Sequence, residues 1–86
     1  MRKFDRVLRL IQSAENDGDL KDFFIGLTTP YERKIFTKRV EIIEKLLLAE
    51  SHQKIARDLV VGISTVSRGS RELQRGHFRI LRKTTV

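Results

Sequence analysis

Between residues 51 and 73 the chain combines short hydroxyls with positive charge, at spacings suited to contact with a polyanion. Ser64, Thr65 and Ser67 fall near the start of a helical stretch. Short side chains there let a helix seat deep in a major groove and donate to base edges, phosphates or bridging waters. The free amides at such a helix start also favour a phosphate. Arg68 and Arg71, with Lys54 and Arg57 on the preceding segment, supply the charge. Ile55, Ala56 and Leu59 make the inner face of a first short helix, and Val66 and Leu73 the inner face of a second. Ala56 is small enough for a close crossing. The turn between them is Val60-Val61-Gly62, where Gly62 is free to take a backbone conformation that β-branched residues resist, and Ser64 is the expected N-cap of the second helix. This is the layout of a helix-turn-helix. A plain helical hairpin with a basic, solvated face carries the same pattern.

The rest of the chain must position that segment. It has 86 residues and a formal charge of +7. Residues 1–50 hold ten basic and nine acidic side chains, whereas residues 51–86 hold eight basic and two acidic ones. A basic half on a small domain suggests nucleic acid as partner. The absence of cysteine excludes a disulfide framework and a thiolate metal site. His52 and His77 are too few and too far apart for a metal site, and they read as surface residues. No nucleophile, base and orienting group come together by motif, and no phosphate loop is present, so an enzyme is not expected. The longest apolar run, Leu46 to Ala49, is far short of a membrane span. The expectation is a cytoplasmic protein of one domain, residues 1–86, without membrane contact.

Apolar spacing is helical nearly throughout. Phe4, Val7, Leu8, Ile11 and Ala14 share one face of a first helix, which Asn16-Asp17-Gly18-Asp19 ends with turn chemistry. Leu20, Phe23, Phe24 and Leu27 make a second, shorter one. Thr29, Pro30 and Glu32 have the spacing of a capping box that starts a third, whose stripe from Ile35 to Leu47 is widened by Ile42 and Leu48 and runs to about Ala49. So wide a stripe in so short a chain needs cover, which a second copy would supply, or else the other helices of a monomer. The fold class is all-α, with five to six helices, and an intertwined homodimer is expected. A final short helix is placed near residues 77–83.

Three segments carry a resemblance to the bacterial tryptophan repressor family. Ile63-Ser64-Thr65-Val66-Ser67-Arg68-Gly69-Ser70 is similar to the family's I-A-T-I-T-R-G-S, Leu27 to Arg33 to its L-T-P-x-E-R, and Arg39 to Glu44 to a third stretch in the same order. The resemblance implies a dimeric repressor that binds double-stranded operator DNA when L-tryptophan, a corepressor rather than a cofactor, is bound. It places the corepressor between the third helix and the recognition helix, with Arg39 and Arg68 sandwiching the indole and Arg68 meeting the carboxylate. Gly69 would admit the indole, Thr29 would cap the pocket, and the carbonyls of Gly26 and Thr28 from the partner chain would reach the ammonium. Glu72 stands where the family has a serine near that ammonium. For DNA, the resemblance points to Gln53 or Lys54, with Arg57, Gly62, Ile63, Ser64, Thr65, Ser67 and Arg68.

Departures from the family pattern are local. The link Leu48-Ala49-Glu50-Ser51 is one residue short, which leaves Gln53 and Lys54 as alternatives for the base-contacting position; glutamine favours adenine, while lysine keeps guanine readout. Val60 replaces a turn glycine. Read from the residues alone, Arg39 equally fits a surface pair with Glu32 or Glu44. Two other functional readings remain open: a regulator of the same fold with a different effector or none, and a basic RNA-binding helical module.

Overall fold

A computed structural model describes residues 2–85, which form six α-helices and no strand. The fold class is therefore all-α, as the periodicity requires. The helices are α1 (Arg2–Gln12), α2 (Asp17–Leu27), α3 (Pro30–Leu47), α4 (His52–Leu59), α5 (Ile63–Gln74) and α6 (Arg79–Thr85). The chain forms two compact units, one ending at Arg33 and the other starting at Lys34.

In the first unit, helix starts are set by side-chain acceptors for amides that have no intrahelical partner. Asn16 does not close α1. Its Oδ1 accepts from the Asp19 amide at 2.8 Å, so it opens α2, and α1 already ends at Gln12. Asp17 and Asp19 in the first turn of α2 add favourable charge at the positive helix end. The expected capping box is present: the Glu32 amide donates to Thr29 Oγ1 at 3.1 Å, and the Thr29 amide to Glu32 Oε1 at 2.9 Å. None of the described residues of this unit is buried, and Phe4, Leu8, Leu10, Phe24 and Leu27 are each more than a third exposed.

The second unit holds the core. Ile42 and Ile43 from α3, Ile55 from α4 and Val66 from α5 are each 2% exposed or less. Leu46, Ala56, Leu59 and Val61 pack around Ile42, Ile55 and Val66. Burying each such side chain is worth roughly 1.5–3 kcal/mol. The Lys38 ammonium reaches the Leu59 carbonyl, tying α3 to the end of α4. Ala49 takes a left-handed conformation (φ 61°), and α3 stops two residues before it.

The α4–α5 turn works differently from the sequence expectation. Gly62 adopts an ordinary extended conformation (φ −68°, ψ 147°) and is the N-cap of α5, without a side-chain cap. Ser64 consequently lies inside the helix. The left-handed position falls on Val60 (φ 54°, ψ 56°), whose amide bonds back to the last turn of α4. A β-branched residue is strained there, at a cost of about 1–2 kcal/mol. Val60 is 84% exposed, so it gains little packing in return. Val60→Gly is expected to stabilise the protein by about 1 kcal/mol, which for a domain of this size raises Tm by roughly 4–8 °C. A melting point unchanged or lowered in thermal denaturation would contradict the strain.

The last helix begins two residues later than its expected position. Gly76 (φ 91°) and Phe78 (φ 65°) hold the connection from α5 in left-handed backbone, and Arg82 Nη2 donates to the Leu73 carbonyl at 2.6 Å, closing the end of α5. Arg79 and Arg82 are exposed, as their place in the sequence suggests.

Candidate functional site

α3 and α5 meet across a cavity of about 480 Å3 within the second unit. Its apolar floor is Ile42, Ile43 and Gly69, its charged wall is Arg39, Arg68, Arg71 and Glu72, and Phe78 closes one side. Four of the residues singled out in the sequence as ligand-binding, namely Arg39, Arg68, Gly69 and Glu72, thus come together. Gly26, Thr28 and Thr29 belong to the first unit and are not among the residues lining the cavity. There the Thr28 carbonyl accepts from Arg33 Nη1 at 2.8 Å.

Arg39 forms no surface pair with Glu32 or Glu44. Among the described residues, none of Arg39, Arg68 and Arg71 takes part in an ion pair. Three uncompensated guanidiniums around an apolar floor suit an anion with an apolar body. Glu72, in contrast, is fully engaged. Arg75 Nη1 lies 2.8 Å from its Oε1, and His77 Nδ1 lies 2.6 Å from its Oε2. The His77 hydrogen bond, followed by the charges of Arg75 and His77, holds the Glu72 carboxyl below the ordinary carboxylate range despite an opposing desolvation effect. His77, which the sequence leaves without a role, is therefore the partner of a cavity residue.

Gly69 does more than leave room in the cavity. A Cβ at this position would lie 3.2 Å from Ile43 Cδ1 and 3.3 Å from Ile42 Cγ2, so the missing side chain also sets how closely α5 approaches α3. Ile43 borders the cavity and has space to swing into it. Gly69→Ala is expected to leave stability within about 1 kcal/mol of the parent, because the helix-propensity gain offsets the crowding. The same change fills the cavity with the displaced Ile43 methyl and weakens binding of any ligand seated there. Calorimetric titration alongside urea denaturation separates the two; equal affinity in both proteins would refute the crowding.

Phe78 and Arg71 line the cavity although the sequence does not place them there, and so do Ser64 and Thr65, which the sequence points toward DNA instead. Phe78 follows Gly76 in a stretch with no helical period to place it. In the sequence Arg71 reads only as surface charge.

The candidate nucleic-acid face lies on α4 and the start of α5. Gly62, Ile63, Ser64 and Thr65 are exposed, and Ser67 is half-buried beside the fully buried Val66. The hydroxyls of Ser64 and Thr65 make no hydrogen bond among the described residues. On α4 the two alternatives differ. The Lys54 ammonium lies 2.9 Å from Glu50 and 3.1 Å from Asp58, one turn away on either side. Hydrogen bonding to Glu50 and then Asp58 raises the Lys54 pKa, and hydrogen bonding to Lys54 lowers those of both acids. Gln53 is exposed and without such a tie. Arg57 Nε stands 3.6 Å from Asp58.

Among the described residues, no group of three or more His, Cys, Asp or Glu side chains is placed to hold a metal ion, and no helix is long and apolar enough to cross a membrane.

Comparison with known proteins adds an independent line. The family model described as "Trp repressor protein" matches residues 2–81. The "Trp operon repressor homolog" of Vibrio parahaemolyticus serotype O3:K6 is 38% identical over 74 residues, covering 85% of this chain and 72% of the relative. That of Aliivibrio fischeri strain MJ11 is 38% identical over 72 residues, covering 83% and 67%. That of Vibrio vulnificus strain YJ016 reaches 47% over a shorter stretch of 49 residues, covering 56% and 48%. No solved structure matches the chain.

Proposed function

The chain belongs to the Trp repressor protein family, and on that premise we propose that it is a sequence-specific DNA-binding repressor that uses L-tryptophan as corepressor. The family is one of transcriptional regulators and not of enzymes. One observation carries the reading. Arg68, on the cavity wall and without an ion pair among the described residues, sits on the same helix as Ser64 and Thr65, whose exposed side chains border the cavity too. A carboxylate gripped by Arg68 and an indole stacked on Arg39 and Arg68 join α3 to α5, and so fix the angle at which α5 projects. A ligand that favours the DNA-competent angle shifts that population by its differential affinity.

In this reading α4, the Val60–Gly62 turn and α5 form a helix-turn-helix, with α5 in the major groove. Ser64, Thr65 and Ser67 meet base edges and phosphates, Arg57 and Arg68 neutralise the backbone, and the turn amides at Gly62 and Ile63 approach it. Gln53 takes the base-contacting place on α4, since Lys54 is engaged by two carboxylates; adenine is then its preferred partner. A second copy of the chain covers the exposed apolar side chains of the first unit and spaces two reading helices for two half-sites about one helical turn apart. Thr29 and the carbonyls of Gly26 and Thr28 complete the pocket from that copy.

The chain contains no tryptophan, so the ligand's own fluorescence reports binding. Titrating the protein into L-tryptophan is expected to give a saturable blue shift that D-tryptophan does not reproduce. An electrophoretic shift of palindromic operator-like duplex is expected only with L-tryptophan present. Duplex binding without any ligand requirement would remove tryptophan from the mechanism, and a preference for structured RNA over duplex would overturn the reading as a whole.

A further inference from the structure

The cavity contains one acid and a cluster that has already claimed it. Glu72 faces the cavity, yet both of its carboxylate oxygens are occupied, Oε1 by Arg75 and Oε2 by His77. The His77 amide also donates to the Glu72 carbonyl at 3.1 Å, so the contact is anchored at backbone and side chain alike. The other charges around this acid are all positive: Arg68 and Arg71 on α5, Arg39 on α3, and Arg82 on α6, whose guanidinium reaches the carbonyl of the adjacent Leu73. A ligand ammonium entering such a cavity has a single carboxylate to meet, and it meets it in competition with an imidazole.

We infer that His77 is a specificity-determining residue of this cavity, setting through Glu72 how well the cavity tells an α-amino acid from the same acid without its ammonium. The inference rests on the cavity being the corepressor site. When His77 carries a proton, its positive charge sits against Glu72 and cancels the attraction for a second cation. When the imidazole is neutral, Glu72 accepts the ligand's ammonium without that competitor. The affinity of an ammonium ligand therefore rises toward the pH at which imidazoles are neutral. A ligand with a carboxylate alone gains nothing from Glu72, and the loss of the His77 charge slightly weakens its binding.

The test compares L-tryptophan with indole-3-propionate, its analogue lacking the ammonium, by fluorescence titration of the whole protein from about pH 5.5 to about pH 8, the range in which imidazoles change charge. In the parent protein the ratio of the two affinities is expected to favour L-tryptophan about fivefold more at the upper end, the effect of one charge at roughly 5 Å with nearly the screening of bulk water. His77→Gln is expected to keep both ligands bound and flatten the ratio across pH. Glu72→Gln is expected to flatten it at a low value, with indole-3-propionate retained. A purely structural role for His77 would change both affinities together and leave the slope of their ratio intact. If both ligands bind and the parent ratio does not vary with pH, the assignment of His77 is overturned while the cavity stands. If neither ligand binds at any pH, the corepressor reading of the cavity fails and takes this inference with it.

Discussion

Replacing Arg68 with leucine is expected to abolish tryptophan dependence and to weaken operator binding in the same variant. In the proposed function one side chain serves both contacts, and this joins the two losses. Its guanidinium lines the cavity without an ion pair among the described residues, on the helix whose first turns carry Ser64 and Thr65. Hydrogen bonds to a charged partner contribute roughly 1.5–3 kcal/mol, so ligand affinity should fall about 10- to 150-fold. Arg68→Lys should rescue little, because an ammonium has neither the planar fork that pairs with a carboxylate nor the flat face that stacks on an indole. Far-UV circular dichroism should be unchanged, since Arg68 is exposed and takes no part in the core. Fluorescence titration and operator shift are the two readouts. Tryptophan affinity equal to that of the parent would remove Arg68 from the chemistry of the cavity.

Ile55→Ala is expected to bring the second unit close to unfolding. Ile55 is fully buried where α4 meets Ile42 of α3 and Val66 of α5. Truncations of this kind cost about 2–5 kcal/mol, depending on how far the site collapses. A chain of 86 residues has only roughly 4–13 kcal/mol of stability in total. The cost is not confined to stability. Ile55 packs against both Ile42 of α3 and Val66 of α5, and in the proposed function half-site reading depends on the angle between α4 and α5. Urea denaturation should show a midpoint far below that of the parent, and operator binding should fall even where the variant remains folded. A change below about 1 kcal/mol would mean that the site refills and that the three-helix junction is not tightly packed.

The helices were legible because their signals are short-range. Alternation at 3.6 residues placed α1 to α5, and the Thr29–Glu32 box fixed the start of α3. The inner faces of α4 and α5 followed from Ile55 and Val66, which are the most deeply buried residues of their helices. Errors fell where two local rules compete. Asn16 is an equally good helix stop and helix start, and only its acceptance from the Asp19 amide decides between them. Gly62 offered freedom that the turn does not use; the left-handed residue is Val60, because the chain must reverse directly after the last turn of α4.

The site was legible in half. Arg39, Arg68, Gly69 and Glu72 share the cavity, and their spacing on two helices carries that information. Phe78 and His77 were not legible, since each reaches its place through left-handed backbone at Gly76 and Phe78 that no period announces. Of the two pairs that clasp Lys54, sequence spacing carries the Lys54–Asp58 pair, which follows the i, i+4 rule within α4, but not the Lys54–Glu50 pair, because Glu50 lies before the N-cap Ser51 and outside the helix.

That clasp bears on the kinetics of encounter. Residues 50–59 carry Lys54 and Arg57 against Glu50 and Asp58, so the field they project is close to zero. Residues 63–85 carry six basic side chains and one acid. An approaching polyanion is therefore drawn toward α5 and α6 from a distance and feels α4 only on contact. Association should be fast and salt-sensitive through the arginines that follow Val66. The residence time should be governed by the uncharged contacts of Gln53, Ser64 and Thr65. In the proposed function the charged helices thus capture the duplex and the uncharged contacts retain it.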